Sequence, residues 1–167
     1  MMSTIPIVCV VGRSKAGKTT LLEKLIAELK QRGYRVATIK HHSHPGFEMD
    51  QPGKDTWRHA QAGSDHVVIV APDKVASIRR VKREPSLEEV AATIHDVDII
   101  LTEGFKRTGQ LKVEIVRAAR STQPLCTPDE LLALVTDVAL PYDVPQFDLD
   151  DMAGLADLIE ALIQDGR

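Results

Sequence analysis

The chain has 167 residues, 43% hydrophobic and 27% charged, a composition that excludes a disordered or fibrous protein. Only two cysteines, Cys9 and Cys126, are present, which excludes a disulfide framework and a cysteine-rich zinc site. The net charge of −3 is unevenly distributed along the chain. Residues 1–128 hold 20 basic and 14 acidic side chains, whereas residues 129–167 hold 1 basic and 10 acidic side chains.

The first forty residues have the pattern of a βαβ unit. The apolar run at 5–11 predicts a strand buried on both faces. Leucines and isoleucine at helical spacing over 21–29 predict a helix that ends near Gly33. Residues 35–40 predict the second strand.

The remaining elements follow at similar spacing. The pattern predicts a loop over 41–53, helices over 54–62 and 86–94, and strands over 66–71, 75–81, 98–102 and 111–116. Alternation over 111–116 is typical of an edge strand. Residues 131–136 fit a strand, although 128–130 equally suit a helix start, and 147–149 fit a very short strand. Asp150 and Asp151 are predicted to cap a last helix.

These elements together predict the fold class. Strands that alternate with helices indicate an α/β protein with a doubly wound, mostly parallel sheet and helices on both faces. One or two antiparallel strands are expected at its edges. No repeat or linker is visible, so a single nucleotide-binding domain over 1–167 is expected.

A phosphate-binding motif follows the first strand. Residues 12–19 match G-x-x-x-x-G-K-[ST] at every fixed position, with Gly12, Arg13, Ser14, Lys15, Ala16, Gly17, Lys18 and Thr19. The glycines allow backbone N–H groups to surround a β-phosphate at the start of the following helix. Lys18 would bridge the β- and γ-phosphates, and the Thr19 hydroxyl would bind Mg²⁺. The motif therefore predicts a nucleoside triphosphate site.

An acidic residue is expected at the end of a neighbouring strand, where ligands of α/β sheets bind. Glu103 follows the strand at 98–102 and would hold the metal or order a water, whereas Asp98 stands at its opposite end. Asp50 and Asp55 lie in the loop region after the second strand. Each is either a metal ligand or a local residue, Asp50 in a turn and Asp55 in the first turn of a helix.

Three further groups of residues each have more than one possible role. His41, His42 and His44 are exposed loop histidines or metal ligands. Lys40 either touches phosphate or pairs with a carboxylate. Thr136 and Asp137 end an apolar run, and Asp137 either accepts hydrogen bonds from guanine N1–H and the 2-amino group or ends a turn. The complete guanine motif N-K-x-D is absent.

With these residues identified, the chain resembles the molybdopterin-guanine dinucleotide biosynthesis adapter family, MobB. The resemblance covers nearly the whole length and rests on five segments: GRSKAGKTTLLEKLI (12–26), TIKHHSHPGFEMDQPGKDTWRHAQAGSD (38–65), LTEGFKR (101–107), KVEIVR (112–117) and LVTDV…FDLDD (134–151). It implies a fold similar to the MinD and signal-recognition type of P-loop GTPases. Arg13 occupies the position of a signature lysine in many of those proteins, so their partner-donated lysine mechanism is not carried over.

The resemblance also implies a function. It implies binding of GTP and Mg²⁺, weak GTP hydrolysis, a homodimer, and partnership with the molybdopterin guanylyltransferase. Residues Gly12 to Thr20 would bind phosphate, Thr19 with Glu103 and either Asp50 or Asp55 would complete the metal shell, and Thr136 and Asp137 would lie near the base. Catalysis would rest on Lys18 and Glu103.

The expected function is therefore a cytoplasmic GTP-binding adapter and at most a slow GTPase. The adapter would deliver GTP, pass on molybdopterin or its guanine dinucleotide, or only hold its partner. The strands at 75–81 and 111–116 are candidates for the dimer interface. No nucleic-acid partner is expected, because no aromatic residues lie among the basic clusters at 79–83 and 106–120. No membrane partner is expected either, because no apolar run reaches the ~18 residues that cross a bilayer.

Two rival functions remain open. The basic clusters could hold the anionic acceptor of an ATP-dependent small-molecule kinase. The three histidines could belong to a metallochaperone GTPase. A preference for GTP over ATP would distinguish the adapter from the kinase. Metal affinity of the three histidines would distinguish the metallochaperone GTPase from the adapter.

Overall fold

The structure, a computed structural model, describes residues 5–165. Its elements run in the order β1 (Ile7–Gly12), α1 (Lys18–Gln31), β2 (Val36–Lys40), α2 (Asp55–Gln61), β3 (His66–Ala71), β4 (Lys74–Arg79), α3 (Leu87–Ala91), β5 (Ile99–Glu103), β6 (Leu111–Val116), a 3₁₀ turn (Pro128–Glu130), β7 (Leu131–Thr136), β8 (Gln146–Phe147) and α4 (Met152–Asp165). The described residues divide into two compact units, one formed by 5–41 with 87–165 and the other by 42–86.

The first unit contains a six-stranded parallel sheet in the order β2-β5-β1-β6-β7-β8. The predicted fold class is confirmed. The antiparallel pairing lies in a separate two-stranded sheet rather than at an edge of the main sheet. The carboxyl ends of the parallel strands share one edge, which is where the candidate site residues of this unit collect.

The expectation that residues 111–116 form an edge strand is wrong. Strand β6 lies between β1 and β7, and five of its six residues are buried. Its alternating polar residues, Lys112 and Glu114, are each only 1% exposed. Since both sides of β6 are already paired, this strand is also excluded as an edge through which two chains could pair.

Helices cover both faces of the sheet. Alternate residues of β1 point to opposite faces, as in any strand. Val8 and Val10 join the core beneath α1 and α4, while Cys9 and Val11 join the core beneath α3. All four side chains are fully buried, which confirms the prediction of a strand covered on both sides.

The local signals at element ends are also confirmed. Gly33 follows α1 with a φ of +88°, the left-handed conformation typical of a helix end. Of the two predicted caps of α4, Asp151 accepts a hydrogen bond from the backbone N–H of Gly154 in the first turn at 3.0 Å, whereas the carboxylate of Asp150 pairs with Lys24. The helix predicted over 86–94 is shorter than expected, since α3 spans only Leu87–Ala91.

The second unit contains α2 and the hairpin of β3 and β4. The two strands pair antiparallel from His66 with Arg79 to Ala71 with Lys74. Large apolar side chains of the hairpin are exposed, led by Val70 at 72% and Val75 at 65%. A two-stranded hairpin with apolar residues on its surface is marginally stable alone, so this surface is expected to be covered by other protein.

Among the helices of residues 5–165, none combines the length and apolar character needed to span a bilayer.

Candidate functional site

The loop between β1 and α1 has the backbone of a phosphate cradle. Gly17 has a φ of +103° and Lys15 a φ of +59°, so the chain alternates into left-handed conformations that turn N–H groups toward one side. Gly12 is required at the first position because a β carbon there would lie 2.7 Å from the carbonyl oxygen of Ile115. Arg13, Ser14, Lys15, Thr19 and Thr20 are exposed, whereas Ala16 is buried beneath the loop.

The amino end of α1 is open to an anion. The helix is 14 residues long, its N-cap is Gly17, and within the described residues no side chain caps it and no acid occupies its first turn. The first N–H groups of a helix have no partner inside the helix, and the helix dipole gives this end a partial positive charge. The geometry is that of an anion site at a helix N-terminus.

Lys18 adds a full positive charge to this end of the helix. Its ammonium donates hydrogen bonds to the carbonyl oxygens of Gly12 at 3.3 Å and Arg13 at 3.0 Å, and so lies along the loop. Partial burial lowers the pKa of Lys18, and the nearby charges of Lys106 and Lys40 lower it further, while Glu103 opposes them. Two further ammonium groups and one carboxylate therefore lie within electrostatic range of Lys18, a charge balance that favours an added anion.

Glu103 is the carboxylate that acts on Lys18. It ends β5, as the sequence predicts, and its side chain is 16% exposed. The hydroxyl of Thr19 donates a hydrogen bond to Oε2 at 3.1 Å, and the ammonium of Lys40 lies 2.7 Å from Oε1. Hydroxyl and carboxylate oxygens are ligands that Mg²⁺ prefers, so Thr19 and Glu103 together fit this metal.

Asp98, at the opposite end of β5, has a structural role. Its carboxylate accepts hydrogen bonds from the backbone N–H of Arg35 at 2.8 Å and from the guanidinium of the same residue at 3.1 Å. The two residues join the start of β2 to the start of β5. Asp98 therefore lies at the end of β5 opposite Glu103, as the sequence predicts.

A loop over residues 117–127 follows β6 beside the phosphate loop. The buried carboxylate of Glu114 accepts hydrogen bonds from the backbone N–H groups of Leu125 at 2.7 Å and Cys126 at 3.0 Å. A narrow cleft with room for about one water molecule separates this loop from the phosphate loop, and its lining includes three arginines, Arg13, Arg117 and Arg120. The cleft lies at the carboxyl edge of the sheet and is positively charged.

Asp137 lies next to this cleft at the end of β7. One carboxylate oxygen accepts a hydrogen bond from the backbone N–H of Ala118 at 2.8 Å, and the other accepts one from Arg117 at 3.3 Å. Both contacts lower the pKa of Asp137, that of Ala118 most strongly. A carboxylate has about four acceptor positions, so two remain for a ligand. Thr136 is buried, and its hydroxyl bonds with the backbone of Val138.

Asp50 and Asp55 belong to the second unit, and each has a local contact there. Asp50 accepts a hydrogen bond from the backbone N–H of Gln51 at 2.8 Å, and Asp55 is the first residue of α2, where its charge suits the helix dipole. Both line a cleft of about 290 Å³ within that unit. Their role as metal ligands stays a prediction.

The three histidines do not form a cluster of ligands. The ring of His41 packs against Phe105, with ring centres 5.0 Å apart, while Nδ1 of His42 lies 2.7 Å from the carbonyl oxygen of His44. Among residues 5–165, no group of three His, Cys, Asp or Glu side chains is arranged to hold a metal ion.

Two contributors were not recognised from the sequence as site residues. Lys106 lies within electrostatic range of Lys18, and Arg117 contacts Asp137. Arg117 directly follows β6, and Lys106 lies shortly after β5. The rule that ligands bind at the carboxyl ends of strands therefore applies to both once β6 is placed inside the sheet.

A parallel sheet whose central strand leads through a glycine loop into an open helix N-terminus defines a P-loop NTPase-like protein. The family model "Molybdopterin guanine dinucleotide synthesis protein B", MobB, matches residues 7–137. The chain belongs to this family, as the resemblance of its segments indicated.

Named relatives support the same assignment. The chain is 37% identical over 163 residues to the molybdopterin-guanine dinucleotide biosynthesis adapter protein of Haemophilus influenzae, covering 96% of this chain and 90% of that protein. It is 34% identical to the adapter protein of Escherichia coli, with coverage of 96% and 94%. A crystal structure of molybdopterin-guanine biosynthesis protein B is similar with a TM-score of 0.72 at 30% identity, covering 93% of this chain and 99% of that one.

Proposed function

We propose that this MobB protein binds GTP together with Mg²⁺ and hydrolyses GTP slowly. The observation that carries the proposal is the hydrogen bond of 3.1 Å between Thr19 and Glu103 at the edge of the phosphate loop. It brings two oxygen ligands suited to Mg²⁺ beside a helix N-terminus and Lys18, which are suited to phosphate.

Each residue has a part that follows from its chemistry. The N–H groups of residues 12–20 and the ammonium of Lys18 bind the phosphates. Thr19 and Glu103 hold Mg²⁺, with Asp50 or Asp55 as a further ligand, and the metal when bound neutralises charge on the phosphates. Hydrolysis depends on Lys18 and on Glu103, which orients water, within a single nucleotide-binding domain.

The base is assigned to the end of β7. The free acceptor positions of Asp137 can bond with the N1–H and 2-amino groups of guanine, and Thr136 lies beside it. Adenine lacks this pair of donors, so Asp137 supports a preference for GTP.

The adapter role is proposed for the cytoplasm and for a homodimer that works with the molybdopterin guanylyltransferase. The relatives' names support the pathway, and the exposed hairpin of β3 and β4 supports self-association. Val70 and Val75 face each other across the two strands and are exposed. Replacing both by lysine should convert the dimer to a monomer in sedimentation, and an unchanged sedimentation coefficient would exclude this surface as the interface.

Calorimetric titration of the purified protein with GTP and with ATP, each with Mg²⁺, tests the nucleotide proposal. GTP should bind at least ~10-fold more tightly, because one pair of hydrogen bonds to the base is worth about 1–3 kcal/mol. Tighter binding of ATP would contradict the proposal and would favour the kinase alternative, which transfer of labelled phosphate to a small molecule would then identify.

A further inference from the structure

Lys40 and Glu103 end neighbouring strands at the same edge of the sheet. The two residues are register partners in the parallel pairing of β2 with β5. Their side chains form an ion pair with Nζ 2.7 Å from Oε1, and the backbone N–H that follows Lys40 donates to the carbonyl of Glu103 at 3.0 Å. The backbone pairing therefore fixes the side chain of Lys40 beside that of Glu103.

The ion pair itself is weakly held. The side chain of Lys40 is 61% exposed, and ion pairs between exposed groups contribute little to folding because water and salt screen them. The same carboxylate has a second partner, the Thr19 hydroxyl, on its other oxygen. Glu103 thus keeps one contact with the phosphate-binding helix when Lys40 leaves.

Lys40 also belongs to the charges that surround the phosphate loop. Its ammonium and that of Lys106 both lower the pKa of Lys18, so each of them lies within electrostatic range of Lys18. Without an anion these ammonium groups repel one another, and Glu103 is the carboxylate that offsets them. A bound triphosphate would relieve this repulsion and would compete with Glu103 for the ammonium of Lys40.

We propose that Lys40 is a phosphate-binding residue: its ammonium group leaves Glu103 and moves to the terminal phosphate when a nucleoside triphosphate binds. The proposal rests on the proposed function, since it needs nucleotide in the loop after β1. It gives the protein a means, built into β2, to distinguish a triphosphate from a diphosphate. Lys40 would thereby supply from within the chain a second positive charge beside that of Lys18.

The test compares affinities for GTP and GDP, measured by calorimetry with Mg²⁺ and again with excess EDTA. Lys40→Met removes the ammonium group, and Lys40→Arg keeps a charge. Lys24→Met is the matched control, because Lys24 forms an ion pair of 2.5 Å with Asp150 at the start of α4. Circular dichroism establishes that each variant is folded.

Lys40→Met should weaken GTP binding about tenfold, the loss expected for one charge-assisted contact, with less than a twofold change for GDP. Lys40→Arg should recover most of the loss, and Lys24→Met should change neither affinity. The GTP-specific loss should persist in EDTA.

An equal loss for GTP and GDP would overturn the proposal, since it would mean that Lys40 only offsets the charge of Glu103. An unchanged GTP affinity in Lys40→Met would overturn it as well. Failure of the wild-type protein to bind either nucleotide would instead contradict the proposed function, and so the two failures are distinguishable.

Discussion

Gly12 and Ile115 approach each other so closely, as partners of β1 and β6, that a β carbon on Gly12 would lie 2.7 Å from the carbonyl oxygen and 2.8 Å from a methyl group of Ile115. The opening of the phosphate loop is therefore fixed against the central sheet. Backbone atoms of a central strand cannot move aside without disturbing the pairing of β6 with β7.

Gly12→Ala should lower the free energy of unfolding by about 1–3 kcal/mol, because the added methyl group forces a shift in the sheet and the φ of +153° is strained for alanine. Urea denaturation measures this. Gly109→Ala is the control, since a β carbon there would meet nothing within 4 Å, and it should change stability by less than about 0.5 kcal/mol. Equal effects of the two substitutions would show that the contact with Ile115 does not constrain the loop.

The thiol of Cys126 should be unreactive in the folded protein. Burial, and after it the negative charge of Glu114, raise its pKa to about 12. Because the thiolate is the reactive form, a disulfide reagent at pH 8 should label Cys126 only after denaturant is added. Rapid labelling of Cys126 in the native protein, identified by mass spectrometry, would contradict the packing of the loop over 117–127.

Glu130 should make stability depend on pH in the acid range. Hydrogen bonds from the backbone of Thr127 and from the buried ammonium of Lys112 lower the pKa of Glu130 from 4.5 to about 2. Since the folded pKa is the lower one, the stabilisation is complete above pH 4.5 and is lost as the pH falls toward 2.

Glu130→Gln should therefore be less stable than the wild type in urea at pH 6, and the difference should shrink between pH 4.5 and pH 2. The substitution removes the counter-charge of Lys112, which is only 1% exposed. A difference that stays constant across this range would mean that the carboxylate charge has no part in the effect.

Asp137 should determine which base is bound. Asp137→Asn should weaken GTP binding by about tenfold or more and leave ATP binding unchanged, because an amide presents a donor where guanine also presents one. Xanthosine triphosphate, which carries an oxygen in place of the 2-amino group, should gain affinity in this variant. Parallel losses for all three nucleotides would show that Asp137 positions the loop through Ala118 and Arg117 and does not recognise the base.

The sequence was sufficient for the parts of the protein that depend on local chemistry. The phosphate loop, the open start of α1 and the position of Glu103 each follow from residues close together in the chain. The ends of β1 and α1 were predictable for the same reason, since apolar periodicity and Gly33 mark them.

The position of β6 was not predictable, because its polar residues are satisfied by distant partners. Lys112 and Glu114 have the spacing of solvent-facing positions, yet Lys112 donates to Thr108 and Glu130, and Glu114 accepts from the backbone of Leu125 and Cys126. Buried charge of this kind is stable only when paired, and the partners lie in loops that carry no periodic signal. The contacts of Arg117 with Asp137 were missed for the same reason.

The loop over 12–19 and Lys18 are proposed to bind the phosphates of a nucleotide. Calorimetric titration of Lys18→Ala with GTP and Mg²⁺, beside the wild type and Lys24→Ala, measures this contact. We expect an affinity about 100-fold weaker for Lys18→Ala alone, since the ammonium makes charge-assisted contacts with two phosphates. A folded Lys18→Ala protein that binds GTP within twofold of the wild type would contradict it.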